Sequence, residues 1–259
     1  MKNNDWRSAL DDFLKDWKDR DEVVGAIVTG SRVAGTATPL SNIDVHILLF
    51  DDCNWKERGN RTVDSFIVEY FANPIYLLKE YDTNDYEDNQ RSNARMLAVG
   101  EILFDKTGEV AKLQENARAW MKIPFKKPSA LFIEERKYWL RDSLDGLKDL
   151  SESRSSAQSL VYYSHLSLLL SIYCSFIGAE MPHLTKAYKL LTDPEFGKRY
   201  HFKTFPDQSF ASMFIEALSP EIAEQFEVAE SITQYVLERM GGFDIDNWTL
   251  RTPIGSDEV

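Results

Sequence analysis

Hydrophobic residues follow two different spacings along the first part of the chain. Between residues 4 and 19, Trp6, Leu10, Phe13 and Trp17 recur every three or four positions, which predicts an amphipathic helix. Short apolar runs bounded by Gly, Pro, Asn or Asp predict strands instead. The predicted strands are 23–29, 44–50, 63–72 and 102–104, and the further predicted helices are 75–81, 89–99 and 110–121.

The second part of the chain carries helical spacing only. Pro124 and Pro128 interrupt the pattern, so we expect a domain boundary beside them, with domains at residues 1–122 and 123–259. The helices predicted after the boundary are 129–150, 155–178, 183–192, 208–218 and 220–240. The pattern therefore predicts an α+β domain followed by an all-α domain.

One helical stretch is long enough to span a bilayer. Residues 155–179 carry no charged side chain. Serines recur at helical spacing within it, which favours a buried helix with a small-residue face for close packing over a membrane span. The N-terminal segment is charged and lacks the apolar core of a signal peptide. We therefore expect a cytoplasmic protein that does not associate with membranes.

Composition and charge limit the classes of partner. Hydrophobic residues make up 43% of the 259 residues, which is ample for a sizeable core. The 42 acidic and 30 basic residues give a net charge of -12. Since proteins that coat nucleic acids need many cations against phosphate, this balance argues against a nucleic-acid partner. A single small phosphate compound needs only a few well-placed groups and stays compatible with it.

The most informative stretch runs from Gly25 to Phe50. A predicted strand leads into Gly30-Ser31, where a glycine allows close approach of the backbone and successive N–H groups can hold phosphate oxygens. No Gly-Lys-Ser/Thr follows, so this is not a Walker loop, and no Gly-x-Gly-x-x-Gly is present either. Taken alone, the Gly-Ser pair is equally compatible with a simple tight turn.

Carboxylates stand at two of the predicted strands. Asp44 opens the strand after the loop and shares one face with His46, while Glu69 interrupts an apolar run. A buried carboxylate needs a cation or donor as partner, although Glu69 on an edge strand facing water is the alternative. If the two strands are neighbours, the carboxylates meet beside the Gly-Ser turn, where oxygen ligands suit Mg²⁺ and phosphate chemistry.

These residues carry a family resemblance. Gly30-Ser31, nine residues, and then Ser41-Asn42-Ile43-Asp44-Val45 resemble the nucleotidyltransferase signature of the DNA polymerase beta superfamily. The spacing and the helical second half look most like aminoglycoside nucleotidyltransferases of the kanamycin type. Val68 to Phe71 resembles the strand that bears the third carboxylate of that family. The resemblance covers about residues 20–120.

The resemblance implies a fold, a reaction and a set of site residues. It implies a nucleotidyltransferase domain with a mixed sheet and flanking helices, followed by a helical-bundle domain, and a homodimer. It implies transfer of a nucleoside monophosphate, AMP from ATP or from another NTP, to a hydroxyl of a small, possibly aminoglycoside-like acceptor, with release of pyrophosphate. Mg²⁺ or Mn²⁺ would be the cofactor. The implied nucleotide-binding residues are Gly30, Ser31, Arg32 and Ser41, and the implied metal ligands are Asn42, Asp44 and Glu69.

The sequence departs from the signature at Asn42, where the family has a carboxylate. An amide oxygen carries no charge, so metal binding and transition-state neutralisation are weakened. Three interpretations follow. The enzyme uses one well-held ion, a nearby carboxylate such as Asp64 substitutes, or the chain is a catalytically attenuated nucleotide-binding or regulatory module.

The general base is expected on the first helix of the second domain. Glu135 is the candidate, with Glu134 and Asp142 on the same helix as alternatives, and a solvated helix face competes with each of them. His46 shares a face with Asp44 and is expected either to lie near the site or, as the simpler interpretation, to be a hydrogen-bonded structural histidine. An acidic segment at residues 80–88 is expected either to attract a cationic acceptor or to form a solvated loop.

Overall fold

A computed structural model describes residues 5–246 and 248–252 of the chain. Contacts within the chain divide it into two compact units. The first unit runs to Ile123 and also includes the short segment Lys198–Phe202. The second unit contains Pro124–Gly197 and the residues after Phe202.

The first unit is a mixed five-stranded sheet with helices. Its strands stand in the order β3-β4-β2-β1-β5. Among the residues that the structure describes, only the β2–β4 pair is parallel, which confirms the expected mixed sheet. The strands are β1 Val23–Thr29, β2 Ile43–Leu49, β3 Glu57–Val63, β4 Phe66–Pro74 and β5 Glu101–Asp105. The helices are α1 Trp6–Lys18, α2 Gly30–Val33, α3 Ile75–Glu87, α4 Ser92–Val99 and α5 Glu109–Trp120.

Alternation along β2 separates two layers of core. Ile43, Val45 and Ile47 point to one face and pack with the apolar stripe of α1. Leu48 points to the other face, where it packs with residues of α3, α4 and α5 such as Leu78. Asp44 and His46 share that second face by the same alternation, as the sequence predicted.

The strand predicted at 63–72 corresponds to β4, which begins three residues later and continues to Pro74. The prediction missed β3 before it: the two strands form a hairpin joined at Asp64 and Ser65, which have positive φ of 45° and 70°. β3 escaped prediction because it is an edge strand with both faces largely exposed, so its sequence lacks apolar alternation.

The helix predicted at 75–81 continues to Glu87. The acidic segment 80–88 is therefore helical and is not a loop, and Asp82 within it is buried. The sequence pattern stopped early because polar residues replace the apolar stripe after Tyr81. The helix predicted at 89–99 begins only at Ser92.

Helices are the only regular secondary structure among the described residues of the second unit, which confirms the expected all-α second part. A 3₁₀ turn at Ile222–Glu224 precedes the last helix. The short helix α9 was not predicted from the sequence. By their contacts, the last two residues of α9 belong to the first unit. The helices are α6 Ala130–Glu152, α7 Gln158–Ile177, α8 Leu184–Thr192, α9 Pro194–Arg199, α10 Gln208–Glu216 and α11 Gln225–Arg239.

Helix α7 is long and apolar enough to cross a membrane by length and composition. In this structure it forms part of the core of the second unit, where Tyr162, Leu169 and Tyr173 are buried. The expected small-residue packing face was wrong, because Ser164 and Ser171 are exposed. Bulky apolar residues fill the core from the other faces of the helix.

Candidate active site

The turn after β1 and the start of β2 meet at Gly30 and Asp44. In the antiparallel pair of β1 and β2, Thr29 is the register partner of Asp44, so the chain turns directly beside this carboxylate. Gly30 has a φ of +78°, and a Cβ added there would lie 2.0 Å from Asp44 Oδ2. Glycine is therefore required both for the backbone conformation and for the close approach of the carboxylate.

The loop that follows is held by its own side chains. The Arg32 guanidinium donates from Nε to the Asn42 carbonyl at 3.0 Å and from Nη2 to the Ser41 carbonyl at 2.5 Å. The Ser41 hydroxyl accepts from the Thr38 N–H at 2.9 Å. Both residues thus close the loop in this structure, and their role as nucleotide ligands stays a prediction. Ser31 lies half-buried in the one-turn helix α2.

The two candidate carboxylates lie on neighbouring strands. Asp44 of β2 and Glu69 of β4 are register partners in the parallel pair, so their side chains project from the same face of the sheet. β4 lies between β3 and β2, and the Glu69 side chain is only 18% exposed. Glu69 is therefore not the water-facing edge charge that the sequence left open as an alternative.

Both oxygens of Glu69 accept hydrogen bonds from nitrogen donors. Asn42 Nδ2 donates to Oε2 at 2.6 Å, and Arg58 Nη2 donates to Oε1 at 2.6 Å in an ion pair. An ionised carboxylate only accepts, so the amide nitrogen of Asn42 is the group that must face it. The predicted metal ligands Asn42 and Glu69 are thus hydrogen-bonded directly to each other.

A second row of side chains crosses the same face one step further along the strands. Arg58, Phe71 and His46 are register partners across β3, β4 and β2. The Arg58 guanidinium lies 4.8 Å from the Phe71 ring centroid, and the His46 ring stacks on Phe71 at 5.0 Å. The contact with Phe71 holds the Arg58 side chain beside Glu69.

His46 differs from its sequence interpretation. It is buried, and within the described residues neither ring nitrogen has a hydrogen-bond partner, so it is not the hydrogen-bonded histidine that we expected. Burial lowers its pKa to about 4, so the ring is neutral near pH 7. Its packing against Phe71, and not hydrogen bonding, keeps it in place.

Comparisons with known proteins show which kind of domain and fold this chain is similar to. The family model described as nucleotidyltransferase domain matches residues 10–83, which span α1 to most of α3. A nucleotidyltransferase-like protein from Exiguobacterium sibiricum 255-15 is similar in structure, with a TM-score of 0.50 and 11% identity. The similarity covers 91% of this chain and 75% of that one. No curated protein matches the sequence.

The fold is nucleotidyltransferase-like. The family match contains the Gly-Ser turn, Asp44 and Glu69, so it covers the part of the chain where the candidate site was built from the residues. The structural match, at 11% identity, supports the fold alone. A kanamycin-type acceptor is a narrower inference and is taken up below as a proposal.

Nucleotidyltransferase domains typically use divalent ions, and the residues here fit one ion better than two. Asp44 offers a carboxylate beside the Gly30 turn, and Thr29 Oγ1, its register neighbour, is a buried oxygen without a hydrogen-bond partner among the described residues. Glu69 is already bonded on both oxygens. Across residues 5–246 and 248–252, no three His, Cys, Asp or Glu side chains form a metal-binding group, so Asp64 does not complete one with Asp44 and Glu69.

The candidate general base lies in the second unit. Glu135 is half-buried on α6 and lies 3.4 Å from Arg136 Nη1. Its neighbour Glu134 pairs with the buried Lys137 at 2.6 Å. The pairing distinguishes Glu134, which holds a buried cation, from Glu135, whose ion pair is longer. The role of Glu135 as base stays a prediction.

Sequence reasoning missed two further groups that contact residues of the candidate site or the loop beside it. Arg58 lies in the unpredicted strand β3, and only the hairpin register reveals its partner. The segment Lys198–Phe202 contacts the loop after α2: the Tyr200 and Thr36 hydroxyls are 2.6 Å apart, and Arg199 Nη1 donates to the Gly35 carbonyl at 2.9 Å. The sequence separation of 164 residues leaves no local signal for these bonds.

Proposed function

We propose that this chain transfers a nucleoside monophosphate, AMP from ATP, to a hydroxyl of a small acceptor, with one divalent ion at Asp44. The observation that carries the proposal is the contact between the Gly30 turn and Asp44. It places a backbone turn suited to phosphate oxygens directly against a carboxylate suited to Mg²⁺ or Mn²⁺.

The reaction follows from the groups around this contact. The N–H groups of the turn at Gly30 and Ser31 bind the triphosphate, and the loop closed by Arg32 keeps the turn in place. The acceptor oxygen bonds to the α-phosphorus while the bond from the α-phosphorus to the bridging oxygen breaks, so pyrophosphate leaves. Glu135 stays the candidate general base that the sequence offers. When bound, the divalent ion neutralises charge on the phosphates.

The acceptor is proposed to be cationic and aminoglycoside-like. This inference rests on the resemblance to kanamycin-type enzymes and on the net charge of -12. The acidic helix α3 contributes to that field through its exposed residues, which include Glu80 and Glu87.

A second candidate function is a nucleotide-binding module with attenuated transfer. The observation that favours it is the bonding of Glu69, because both oxygens are held by Asn42 and Arg58. Such a module would bind ATP and release little pyrophosphate with any acceptor. The test below separates the two candidates.

The test measures pyrophosphate release from ATP with Mg²⁺ or Mn²⁺ and a panel of aminoglycosides, together with ATP binding by calorimetry. We expect Asp44→Asn to lower turnover by about 100-fold or more, since it removes the ligand of the ion and its charge. Asp52→Asn is the matched control, because Asp52 is exposed and follows the opposite end of β2.

Binding of ATP without turnover by any acceptor would support the attenuated module over the transferase. Absence of ATP binding would contradict both candidates. Equal turnover by the Asp44→Asn and wild-type proteins would contradict the assignment of the site.

A further inference from the structure

The network of Asn42, Glu69 and Arg58 occupies the place where the sequence signature predicts part of a metal site. We propose that Arg58 acts as a fixed cation there in place of a second divalent ion, and contacts the phosphates of the bound nucleotide. This inference rests on the proposed nucleotide binding and names a residue that the family resemblance does not.

The geometry commits Glu69 to the protein. Its two oxygens each accept a nitrogen donor at 2.6 Å, from Asn42 on one side and Arg58 on the other. A divalent ion at Glu69 would have to share this carboxylate with the Arg58 guanidinium, whose positive charge repels the ion. Glu69 therefore positions Arg58 in the structure, and its negative charge is already paired.

The formal charges of these groups show what Asn42 and Arg58 together can replace. A carboxylate at position 42 would repel Glu69 unless a cation stood between them. Asn42 removes one negative charge and bonds to Glu69 directly, and Arg58 adds one positive charge. The two changes together supply the charge of one divalent ion, so a single ion at Asp44 leaves the same net charge as two ions among three carboxylates.

Arg58 also has donors left for a ligand. A guanidinium carries five N–H groups, and the Arg58 side chain is 71% exposed although one Nη is bonded to Glu69. Its position is fixed from two directions, by the bond to Glu69 and by the Phe71 ring at 4.8 Å. A fixed, solvent-facing guanidinium on the same sheet face as Asp44 is suited to bidentate contact with phosphate oxygens.

The same strand provides a matched control. Arg61 is register partner of Val68 and points to the opposite face of the sheet, where its Nη1 pairs with Asp16 Oδ2 at 2.5 Å. It has the same charge and lies three residues from Arg58. A general effect of removing a β3 arginine on folding or on net charge would therefore affect both variants alike.

The test measures binding of α,β-methylene ATP and of Mn²⁺ to the full chain, by calorimetry and by the electron paramagnetic resonance of free Mn²⁺. We expect one Mn²⁺ per protein–nucleotide complex in the wild type. Arg58→Gln should weaken nucleotide binding at least tenfold, Arg58→Lys by less, and Arg61→Gln by no more than about twofold. Asn42→Asp combined with Arg58→Gln should bind a second Mn²⁺.

Two outcomes would overturn the inference while leaving nucleotide binding intact. One is two Mn²⁺ per complex in the wild type, and the other is equal nucleotide affinity of the Arg58→Gln and Arg61→Gln variants. Failure of the wild type to bind the nucleotide at all would overturn the proposed function and this inference with it. If the double variant does not fold, as judged by thermal unfolding, the single Arg58 variants decide.

Discussion

At the scale of single residues, Gly30 meets two separate requirements. Its backbone conformation favours glycine, and the Asp44 carboxylate occupies the space that a side chain would need. Its φ of +78° alone favours glycine, but Gly35 has a φ of +67° and open space around it. What distinguishes Gly30 is that Asp44 Oδ2 lies where a Cβ would stand. A substitution at Gly35 therefore tests backbone strain alone, whereas a substitution at Gly30 tests strain together with displacement of the Asp44 carboxylate.

We predict that Gly30→Ala loses nucleotide binding while Gly35→Ala retains most of it. Both variants pay for a left-handed alanine, about 1–2 kcal/mol in the free energy of unfolding. Only Gly30→Ala must also displace the Asp44 carboxylate, so its ATP affinity should fall at least tenfold, as measured by calorimetry. Similar affinities for the two variants would show that the turn tolerates a shift of Asp44.

At the scale of elements, two contacts explain structure that local patterns did not reveal. The hairpin β3–β4 brings Arg58 beside Glu69 although β3 has no apolar stripe. Asn93 joins α4 to α3: its Nδ2 donates to Asp82 Oδ1 at 2.7 Å and to the Leu78 carbonyl at 2.8 Å. Asp82 is thereby tolerated in a largely apolar contact between two helices.

Asp82 should make stability depend on pH. Burial raises the pKa of Asp82 to about 6. The hydrogen bond from Asn93 lowers this pKa by a smaller amount, and the negative charge of Asp85 raises it. The carboxyl of Asp82 therefore stays protonated to a higher pH in the native state than in the unfolded chain. Its contribution to the free energy of unfolding falls as the pH rises from about 4 to about 6.

We predict that Asp82→Asn raises the free energy of unfolding above pH 6 by about 1–2 kcal/mol and flattens the slope between pH 4 and 6. Urea unfolding across pH 4–8 measures both effects. Asp88→Asn, at an exposed position, is the control and should leave the slope unchanged. A loss of stability in Asp82→Asn at pH 7 would show that the ionised carboxylate is needed by its neighbours.

At the scale of the whole molecule, the chain returns to its first unit late in the sequence, after helix α8 and before helix α10. The segment Lys198–Phe202 belongs to the first unit by its contacts. It contacts the loop after α2 through the Tyr200–Thr36 and Arg199–Gly35 bonds, and Arg95 donates to the Tyr200 carbonyl. The loop beside the Gly-Ser turn is thus held by residues distant in sequence.

We predict that Thr36 and Tyr200 are coupled. Thr36→Val and Tyr200→Phe should each increase hydrogen exchange at residues 34–38, because each removes the same 2.6 Å bond. The double variant should add little to either single one, with a coupling energy of about 1 kcal/mol. Tyr188→Phe, at an exposed tyrosine of α8, is the control. Additive effects would mean that the bond does not restrain the loop.

Much of the fold could be predicted because strong local periodicity specifies it. The stripe of α1, the buried run of β1 and the long helices α6 and α7 each bury a contiguous set of side chains, so their spacing is visible in the sequence. The Gly-Ser turn and Asp44 were recognised for a similar reason, since they follow one another closely along the chain. The family match to residues 10–83 contains both of them.

What only the tertiary structure decided are the partners of the polar groups. β3 is specified by pairing with β4, and Arg58 meets Glu69 only through that pairing, because a hydrogen bond between strands has no signature in the spacing of either one. The bond from Asn42 to Glu69 likewise joins residues 27 positions apart. Sequence alone thus identified the missing charge at Asn42, whereas the fold showed that Arg58 stands beside it, since charge compensation depends on distance in space and not along the chain.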